Sequence, residues 1–280
     1  MNKFPALALA VLSGSAAAQT PATNPMPDGS RDMYVGLGLV SAARYEGARH
    51  SERKALPVLQ VQWSNGVFVS GMSAGMHLSR DPRLEYGPLV ELQRRRDDAG
   101  LGGGIDGVQA RYSVVSLLSA DVRDNRLSGM TPVATRLLGG GFLNYYLTPD
   151  WRLTGNLLAG AGNGRDGVRL DLGVQRLAMQ AGPHHQVSVA AGLGLVNAAY
   201  NRAFFGVSEL DSLRSGNPVY RPDGGLKDAY LGLRWNWALT PSWMLTSHLQ
   251  VKRLAGDARH SPLVERPTNP TVSTAIAYRF

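Results

Sequence analysis

The chain of 280 residues has no cysteine, only four lysines, and no long apolar run beyond its amino terminus. Without cysteine it can form no disulfide framework, thiolate zinc site, cysteine nucleophile or acylated lipoprotein cysteine. The mean hydropathy of -0.15 and the lack of a second apolar run argue against a bundle of membrane-spanning helices. The hydrophobic fraction of 44% is too high for a disordered chain.

The amino terminus has the pattern of a secretory signal peptide over residues 1–18. Lys3 supplies the positive charge, Phe4 to Leu12 form a short apolar segment, and Ala16-Ala17-Ala18 precede the expected cleavage site. Residues 19–31 form a predicted flexible lead-in, and 32–280 form the predicted folded domain. Export of a chain without cysteine fits the envelope of a Gram-negative bacterium, where disulfides are allowed but optional.

Alternation of apolar and polar or small residues is the strongest signal in the folded part. It is clearest over 229–239, where the odd positions are apolar, and it returns over 243–251 and 272–280. A period of two predicts strands with one apolar face and one wet or small-residue face.

Two architectures use such strands, a soluble sandwich or barrel and a membrane barrel. Three features favour the membrane: segments of roughly 10 residues, aromatic residues at segment ends, and polar residues on the second face. Backbone groups in lipid must all be paired, so the sheet is expected to close. We therefore predict an all-β, antiparallel transmembrane β-barrel in the outer membrane.

The barrel is predicted to have about twelve strands, with ten as the alternative. Short turns at 64–66, 148–150, 180–184 and 240–242 mark one end, and long polar stretches at 43–54, 121–132, 200–226 and 255–270 mark the other. This asymmetry is typical of short periplasmic turns and long outer loops. The predicted strands cover 32–42, 55–64, 66–78, 84–95, 108–120, 133–147, 151–161, 167–178, 185–197, 228–239, 243–254 and 271–280.

Charged and amide side chains on the second face are candidates for the barrel lumen. An aromatic residue at the end of the last strand, Phe280 with Tyr278, resembles a signal for insertion into the outer membrane. The basic excess, a net charge of +8, is nearly all arginine, and its spread along the chain argues against nucleic-acid binding. Loop arginines can instead hold lipopolysaccharide phosphates. The lumen candidates are Arg169, Asp171, Arg234, Asn236, His248, Gln250, Lys252 and Arg279.

Catalytic motifs are weak. Gly71 to Gly75 match G-x-S-x-G around Ser73, but a nucleophile elbow needs a strand, a sharp turn and a helix. Two G-x-G-x-x-G matches, at 102–107 and 162–167, lack the strand–helix context of nucleotide binding. No histidine pair has the spacing of a zinc site on a helix. We predict no catalytic residue, cofactor or metal, and a hydrolase carried by Ser73 or His248 is the weakest alternative.

The last third of the chain resembles the MipA/OmpV family of outer-membrane proteins, the MltA-interacting proteins. The segments that carry the likeness are 204–208, 215–220, 224–228, 240–243 and 254–264, and earlier pieces at 34–38, 45–47, 56–57 and 86–88 agree. The family pattern contains no catalytic residues. Its outer-loop positions here are Phe205, Gly206, Val207, Ser208, Gly216, Pro218, Tyr220, Lys227, Asp228, Gly256, Asp257, Ser261 and Pro262.

The resemblance implies a barrel that acts as a non-enzymatic scaffold, linking a lytic transglycosylase to a peptidoglycan synthase. Its contacts would use the short periplasmic turns and residues 19–31. The alternative is a small channel, since a barrel of this size can be filled or leave a narrow pore. Arginine on the wet face would then favour anions.

Overall fold

The computed structural model describes residues 31–97 and 126–279. Within these residues twelve antiparallel strands form one closed barrel, in which each strand pairs with its neighbours in sequence. Three short helices lie in the connections. The strands are β1 (Arg31–Ala43), β2 (Ser51–Trp63), β3 (Val67–Ser70), β4 (Ser73–Met76), β5 (Leu84–Gln93), β6 (Arg136–Tyr146), β7 (Trp151–Ala161), β8 (Gly167–Gln180), β9 (His185–Val196), β10 (Gly225–Ala238), β11 (Trp243–Leu254) and β12 (Thr268–Arg279), and the helices are α1 (Ala198–Phe205), α2 (Glu209–Ser215) and α3 (Gly256–His260).

The first and last strands close the barrel. They pair antiparallel from Tyr34 with Arg279 to Ser41 with Val272. Gly36 lies in this seam, and a Cβ there would come within 2.1 Å of the Ile276 carbonyl oxygen. Closure pairs the edge groups of both strands, which a sheet in lipid requires. The predicted closed antiparallel barrel of twelve strands is confirmed.

One of the predicted strands is wrong in detail. The segment 66–78 is a hairpin of two strands, β3 and β4, of four residues each. Gly71 has a φ of +56° in the turn between them, a conformation that glycine adopts without strain. The Gly71 amide donates to Leu59 O, and the Leu92 amide donates to Met72 O, so the tip of the hairpin is tied to both flanking strands.

The hairpin supplies one strand more than expected, and the predicted strand over 108–120 lies outside the described residues. The predicted signal peptide, nearly all of the lead-in and Phe280 also lie outside them. The strand count of twelve is therefore reached with a different set of segments from the one predicted.

The two faces of the wall differ as the alternation indicates. Outward positions carry leucines such as Leu37 and Leu39, each 68% exposed, and inward positions carry buried side chains such as Tyr34 and Val40. Because membrane barrels turn an apolar band toward lipid, these outward leucines form the lipid-facing surface. None of the helices among the described residues has the length and apolar character needed to cross a membrane.

Connections alternate between the two ends. The end with short turns, here called the turn end, carries 64–66, 77–83, 147–150, 181–184 and 239–242; the turn at 77–83 was not predicted. The opposite end, called the loop end, carries the described residues 44–50, 94–97, 126–135, 162–166, 197–224 and 255–267. The predicted long stretches were too wide at their edges, because residues 51–54, 225–226 and 268–270 belong to strands. The helices were not predicted at all.

Candidate functional sites at the two ends of the barrel

Polar side chains fill the interior near the turn end. The Asn144 amide and the Tyr146 hydroxyl both donate to the Glu85 carboxylate at 3.1 Å. Nearby, Arg152 donates through Nε and Nη2 to Gln175 Oε1 at 3.1 and 2.8 Å. Glu85 and Arg152 are both 0% exposed. Because they are enclosed on every side, these groups occupy the space that a pore would need.

Six of the eight lumen candidates lie on β10, β11 and β12. Arg234, Asn236 and His248 are buried on the inner face, and Arg234 pairs in register with His248. The Thr246 hydroxyl donates to Asn236 Oδ1 at 2.7 Å. Gln250 and Lys252 follow His248 at alternate positions of β11, and Arg279 follows Ala275 and Ala277, both buried, on β12.

An apolar cluster occupies the interior on the other side of the barrel, away from β10, β11 and β12. It is built from buried side chains of β3, β5, β6, β7 and β9, and Tyr200 of α1 packs into it from the loop end. Phe204 packs against the same cluster. Together with the polar groups near the turn end, this cluster means that the described interior is filled by side chains. Its members are Phe68, Leu89, Leu138, Phe142, Leu158, Ala161, Val196 and Tyr200.

A buried ion network joins the wall to the loop end. The Lys227 ammonium lies 3.1 Å from both oxygens of Glu46 and 2.8 Å from Asp228 Oδ2. Lys252 lies 3.3 Å from Glu46 Oε1, and the Lys227 ammonium also lies 5.5 Å from the centre of the Tyr200 ring. Lys227 is 3% exposed in its side chain, so its charge depends on these partners rather than on water.

The other two lumen candidates extend the network along the wall. Arg169 donates through Nε to Asp171 at 2.6 Å and through Nη2 to Glu91 at 3.0 Å. A Cβ on Gly194 would approach both Asp228 and Asp171, at 2.8 and 3.5 Å, so the glycine leaves room for these two carboxylates. The charged residues therefore form a belt inside the barrel from β5 to β11.

The loop from residue 44 to 50 supplies one member of this belt. Burial alone would raise the pKa of Glu46, but the ammonium groups of Lys227 and Lys252 outweigh it and hold that pKa below its ordinary value. The neighbouring Tyr45 hydroxyl donates to the Leu263 carbonyl at 3.1 Å, and burial raises its pKa. Glu46 is therefore an anion that fixes the loop to the wall.

The outer-loop family positions meet over the loop end in a structure, here called the cap, that is formed by residues 197–224 and 255–267. The Ser261 hydroxyl donates to the Phe205 carbonyl at 2.6 Å, and Val207 forms an isolated bridge with Tyr220. Ser208 is the N-cap of α2, and Gly216 ends that helix with a φ of +73°. Each of these residues has a local structural role.

The remaining family positions tie α3 to the cap. The Tyr220 hydroxyl donates to the Asp257 carbonyl at 2.9 Å, and Asp257 Oδ2 accepts from the Asp223 amide at 2.8 Å. Gly256 has a φ of +47°, and a Cβ there would lie 2.6 Å from the Leu226 carbonyl oxygen. Gly206 closes α1, while Pro218 is exposed and Pro262 is half-buried.

Asp211 and Arg96 hold the cap to the segment that leads into β6. Asp211 Oδ1 accepts from the Thr131 amide at 2.8 Å and from its hydroxyl at 2.6 Å, and Oδ2 accepts from Ser208 at 2.8 Å. Burial opposes ionisation of Asp211, but these hydrogen bonds outweigh it and lower its pKa. Arg96 donates to the Phe204 carbonyl, and burial lowers its pKa to about 10.

Two pockets open at opposite ends. At the loop end, a pocket of about 940 Å³ lies between α1, α2 and the segment at 131–133; Arg96 and Asp211 line it, but both are already engaged with the cap. At the turn end, a pocket of about 340 Å³ lies between the turns at 181–184 and 239–242. Its lining includes Tyr34, Gln186, Asn236 and Arg279.

The G-x-S-x-G match around Ser73 lies in the hairpin of β3 and β4. Ser73 begins β4 directly after the hairpin turn, so the element that follows it is a strand and not the helix that a nucleophile elbow requires. His248 lies on the inner face of β11. Among the described residues no group of histidine and acidic side chains could hold a metal ion.

The end of the last strand lies at the turn end. Tyr278 packs against Trp243 with ring centres 5.1 Å apart, which is an interfacial aromatic pair. The other residue of the predicted insertion signal, Phe280, lies outside the described residues.

Sequence reasoning missed several buried charges. Glu85 and Glu91 alternate with outward residues on β5, and Arg152 is the second residue of β7, so their strand positions carried the signal for an inward face. Glu46 lies in a loop, where alternation gives no information. Its role becomes visible only when the loop is placed against β10.

Comparison with known proteins agrees with this architecture. The model of the family described as MltA-interacting protein MipA matches residues 35–280. Proteins named MltA-interacting protein from Escherichia coli K12 and Shigella flexneri are each 23% identical to the chain over 237 residues, which cover 79% of this chain and 93% of theirs.

Solved outer-membrane barrels are more distant. A bacterial polysaccharide outer membrane secretin is 10% identical, with a TM-score of 0.46, over 89% of this chain and 98% of its own. The COG4313 outer membrane channel from Pseudomonas putida F1 is 13% identical, with a TM-score of 0.40, over 91% and 97%. Because the family match spans nearly all of the barrel, the chain belongs to the MltA-interacting protein family, MipA, and is an outer-membrane β-barrel.

Proposed function

We propose that the protein is a non-enzymatic scaffold of the Gram-negative outer membrane, which brings a lytic transglycosylase to a peptidoglycan synthase. The observation that carries the proposal is the filled interior: Glu85, Arg152 and the apolar cluster around Phe142 occupy the described lumen. A barrel whose interior is packed acts through its end surfaces. The names of the two relatives, which describe interaction with MltA, support a periplasmic enzyme as the partner.

The docking surface in this proposal is the turn end, because peptidoglycan enzymes lie in the periplasm. Exposed side chains there include Arg80 and Pro82 in the turn at 77–83, and Pro183 and His184 in the turn at 181–184. The first strand, β1, also begins at this end, at Arg31. These turns are short, so the proposal requires several of them to contact the partner together.

The loop end faces outward in this proposal and contacts lipopolysaccharide. Its exposed arginines, Arg202 and Arg221, form ion pairs with Asp223 and Glu209 at 3.4 and 2.9 Å, and all four side chains are more than half exposed. Guanidinium groups bind phosphate in a forked geometry, and exposed pairs of this kind exchange partners at little cost.

Photo-crosslinking in cells tests the scaffold directly. A photoreactive residue is placed at Pro82 or His184 at the turn end, and at Leu213 on α2, which is 86% exposed, as the matched control at the loop end. We expect a lytic transglycosylase to be captured from the two turn-end positions and not from Leu213. Capture of no peptidoglycan enzyme from the turn end, or equal capture from Leu213, contradicts the proposal.

The channel alternative has less support. A pore would need the enclosed pair Glu85 and Arg152 to leave the interior, and the latter is held by two hydrogen bonds to Gln175. Breaking a buried network of this kind is costly, because each separated charge must find a new partner or reach water.

A further inference from the structure

Two arginines lie on the outer, lipid-facing side of the wall near the loop end. Arg53 is the third residue of β2 and Arg253 is the last but one of β11, and both side chains are exposed. Toward the turn end, the outward positions that follow include Leu59 on β2 and Leu249 on β11, each 44% exposed. The two arginines therefore lie where the lipid-facing apolar band ends.

Two tryptophans lie at the opposite edge of this band on the same two strands. Trp63 ends β2 and Trp243 begins β11, both at the turn end, and alternation puts each on the same face as the arginine of its strand. Tryptophan is enriched where a membrane meets water. On both strands the arginine and the tryptophan are 10 residues apart, from 53 to 63 and from 243 to 253. Ten residues rise about 33 Å along a strand. A tilt of about 40° reduces this rise to about 25 Å, which is the height of the apolar band in outer-membrane barrels.

The register across the seam places the two arginines at the same depth in the membrane. Pairing runs from Trp243 through β12 and β1 to Leu59, which is four residues from the end of β2. The same path from Leu249 leads to Arg53, and Leu249 is four residues from Arg253. The offset is the same at both ends of these strands, as expected when all of them tilt together. The arginines therefore share one membrane surface, and the tryptophans share the other.

Two more exposed arginines lie next to this pair, in the loops above the seam. The Arg266 amide donates to the Gly47 carbonyl at 2.9 Å, and the Arg49 amide donates to Glu265 Oε2 at 2.9 Å. These bonds bring the loops at 44–50 and 255–267 together above β1 and β12. The seam at the loop end is therefore rich in guanidinium groups, and Glu265 is the carboxylate beside them.

The wall arginines differ from those of the cap in their partners. Neither Arg53 nor Arg253 forms an ion pair with another described residue. In the cap, Arg202 and Arg221 pair with Asp223 and Glu209. A guanidinium at the edge of the apolar band is well placed to bind the charged headgroup of a lipid.

We infer that the outer wall at the loop end, formed by β11, β12, β1 and β2, binds the phosphates of lipid A through Arg53 and Arg253. Lipid A, the membrane anchor of lipopolysaccharide, carries phosphates on a disaccharide directly above its acyl chains. That is the depth at which the two arginines lie. A guanidinium binds phosphate through two parallel, charge-assisted hydrogen bonds. Exposed leucines below, such as Leu39 and Leu249, contact the acyl chains.

This inference rests on the orientation in the proposed function, in which the loop end faces outward, and not on the scaffold role. Capture of a lytic transglycosylase by a protein that does not bind lipid A would support the scaffold and overturn this site. Binding of lipid A by a protein that captures no enzyme would give the reverse result.

Binding is measured by native mass spectrometry on the purified full chain in detergent micelles. The probes are lipid A with both phosphates, lipid A from which both phosphates have been removed, and phosphatidylglycerol. We expect lipid A with both phosphates to bind at least about tenfold more tightly than either of the others. Only that probe offers a phosphate to each arginine from one headgroup.

Variants separate the two arginines from other cations of the wall. Arg53→Gln and Arg253→Gln are each expected to weaken the binding of phosphorylated lipid A by about tenfold. Arg176→Gln is the matched control, because Arg176 is an exposed residue of β8 whose guanidinium lies 5.9 Å from the centre of the Trp151 ring near the turn end. We expect this variant to keep its affinity. Migration of the unheated protein on a gel checks that each variant is folded.

Equal affinity of the unaltered protein for phosphorylated and phosphate-free lipid A would overturn the inference without any variant. Equal affinity for phosphatidylglycerol would show that any lipid phosphate suffices and would overturn lipid A as the ligand. An equal loss in Arg176→Gln, or no loss in Arg53→Gln and Arg253→Gln, would overturn the placement of the site.

Discussion

The Lys227 ammonium lies 3.1 Å from each carboxylate oxygen of Glu46, which joins β10 to the first outer loop across 181 residues of sequence. Asp228 and Lys252 complete the network, so two cations share two carboxylates; Lys227 and Asp228 are buried, whereas Glu46 and Lys252 are partly exposed. A network of this kind favours one arrangement of the loop, because any other arrangement would leave a buried charge without its partner.

Replacing Lys227 by methionine should therefore destabilise the barrel strongly. We expect a loss of about 3–5 kcal/mol in the free energy of unfolding, since the buried Asp228 would keep its charge without its nearest cation. Denaturant titration of the protein in lipid vesicles measures it. Arg221→Met is the control, because that arginine pairs with Glu209 at the exposed surface, where such pairs contribute about 0–1 kcal/mol. Equal losses in the two variants would refute the buried network.

The cap should weaken in acid through Asp211. Its pKa is lower in the folded protein than the ordinary 3.8, so its stabilising contribution is complete above that value and is lost as the pH falls through the folded pKa. Denaturant titrations at a series of acidic pH values measure this contribution as the difference between the protein and Asp211→Asn. We expect that difference to shrink in acid. An unchanged difference would show that the hydrogen bonds from Thr131 and Ser208 do not favour the anion.

The seam should be sensitive to a single added carbon atom at Gly36. A Cβ there would lie 2.1 Å from the Ile276 carbonyl oxygen, so the Gly36→Ala variant must displace β1 from β12, at a cost of about 1–3 kcal/mol. Gly139 on β6 is a matched control, because a Cβ there meets nothing within 4 Å. The folded fraction on unheated gels should fall only in Gly36→Ala. Equal folding of both variants would contradict the tight seam.

The filled interior predicts that the protein does not conduct ions across a bilayer. Reconstituted into a planar bilayer, the full chain should give no stepwise conductance, because enclosed side chains such as Glu85 and Arg152 occupy the interior of the described part of the barrel. An open porin added to the same bilayer serves as the positive control. Stable conductance steps from the purified protein would favour the channel alternative over the scaffold.

Alternation in the sequence was sufficient to locate the long strands, but it did not reveal that the segment 66–78 is a hairpin. In β10 the outward leucines and tryptophans differ sharply from the inward Arg234 and Asn236, so the period is clear. In the segment 66–78 the two-residue turn after Ser70 shifts the inward face from even to odd positions, from Phe68 and Ser70 to Ser73 and Gly75. Small residues occupy both faces around that turn, which hides the shift.

The ends of the cap helix α2 are marked by capping residues in the sequence, but the hydrophobic periodicity did not indicate a helix between them. Ser208 and Gly216 bracket α2 as an N-cap and a left-handed C-cap, but the helix between them has only seven residues. So short a helix shows no amphipathic pattern, and its stability comes from the packing of the cap. Partners across the barrel, such as Glu46 with Lys227, depend on the register and the loop conformation, which alternation does not contain.

The contacts of the loop at 44–50 also impose an order of events on assembly. The Tyr45 hydroxyl donates to the Leu263 carbonyl, 218 residues further along the chain. The Gly47 amide donates to Asn269 Oδ1 at 2.8 Å, across 222 residues. The loop at 44–50 can therefore reach its final conformation only after residues 263–269 are in place. Since distant contacts form late, we expect the loop end to be the last part of the molecule to mature, after the first and last strands have met.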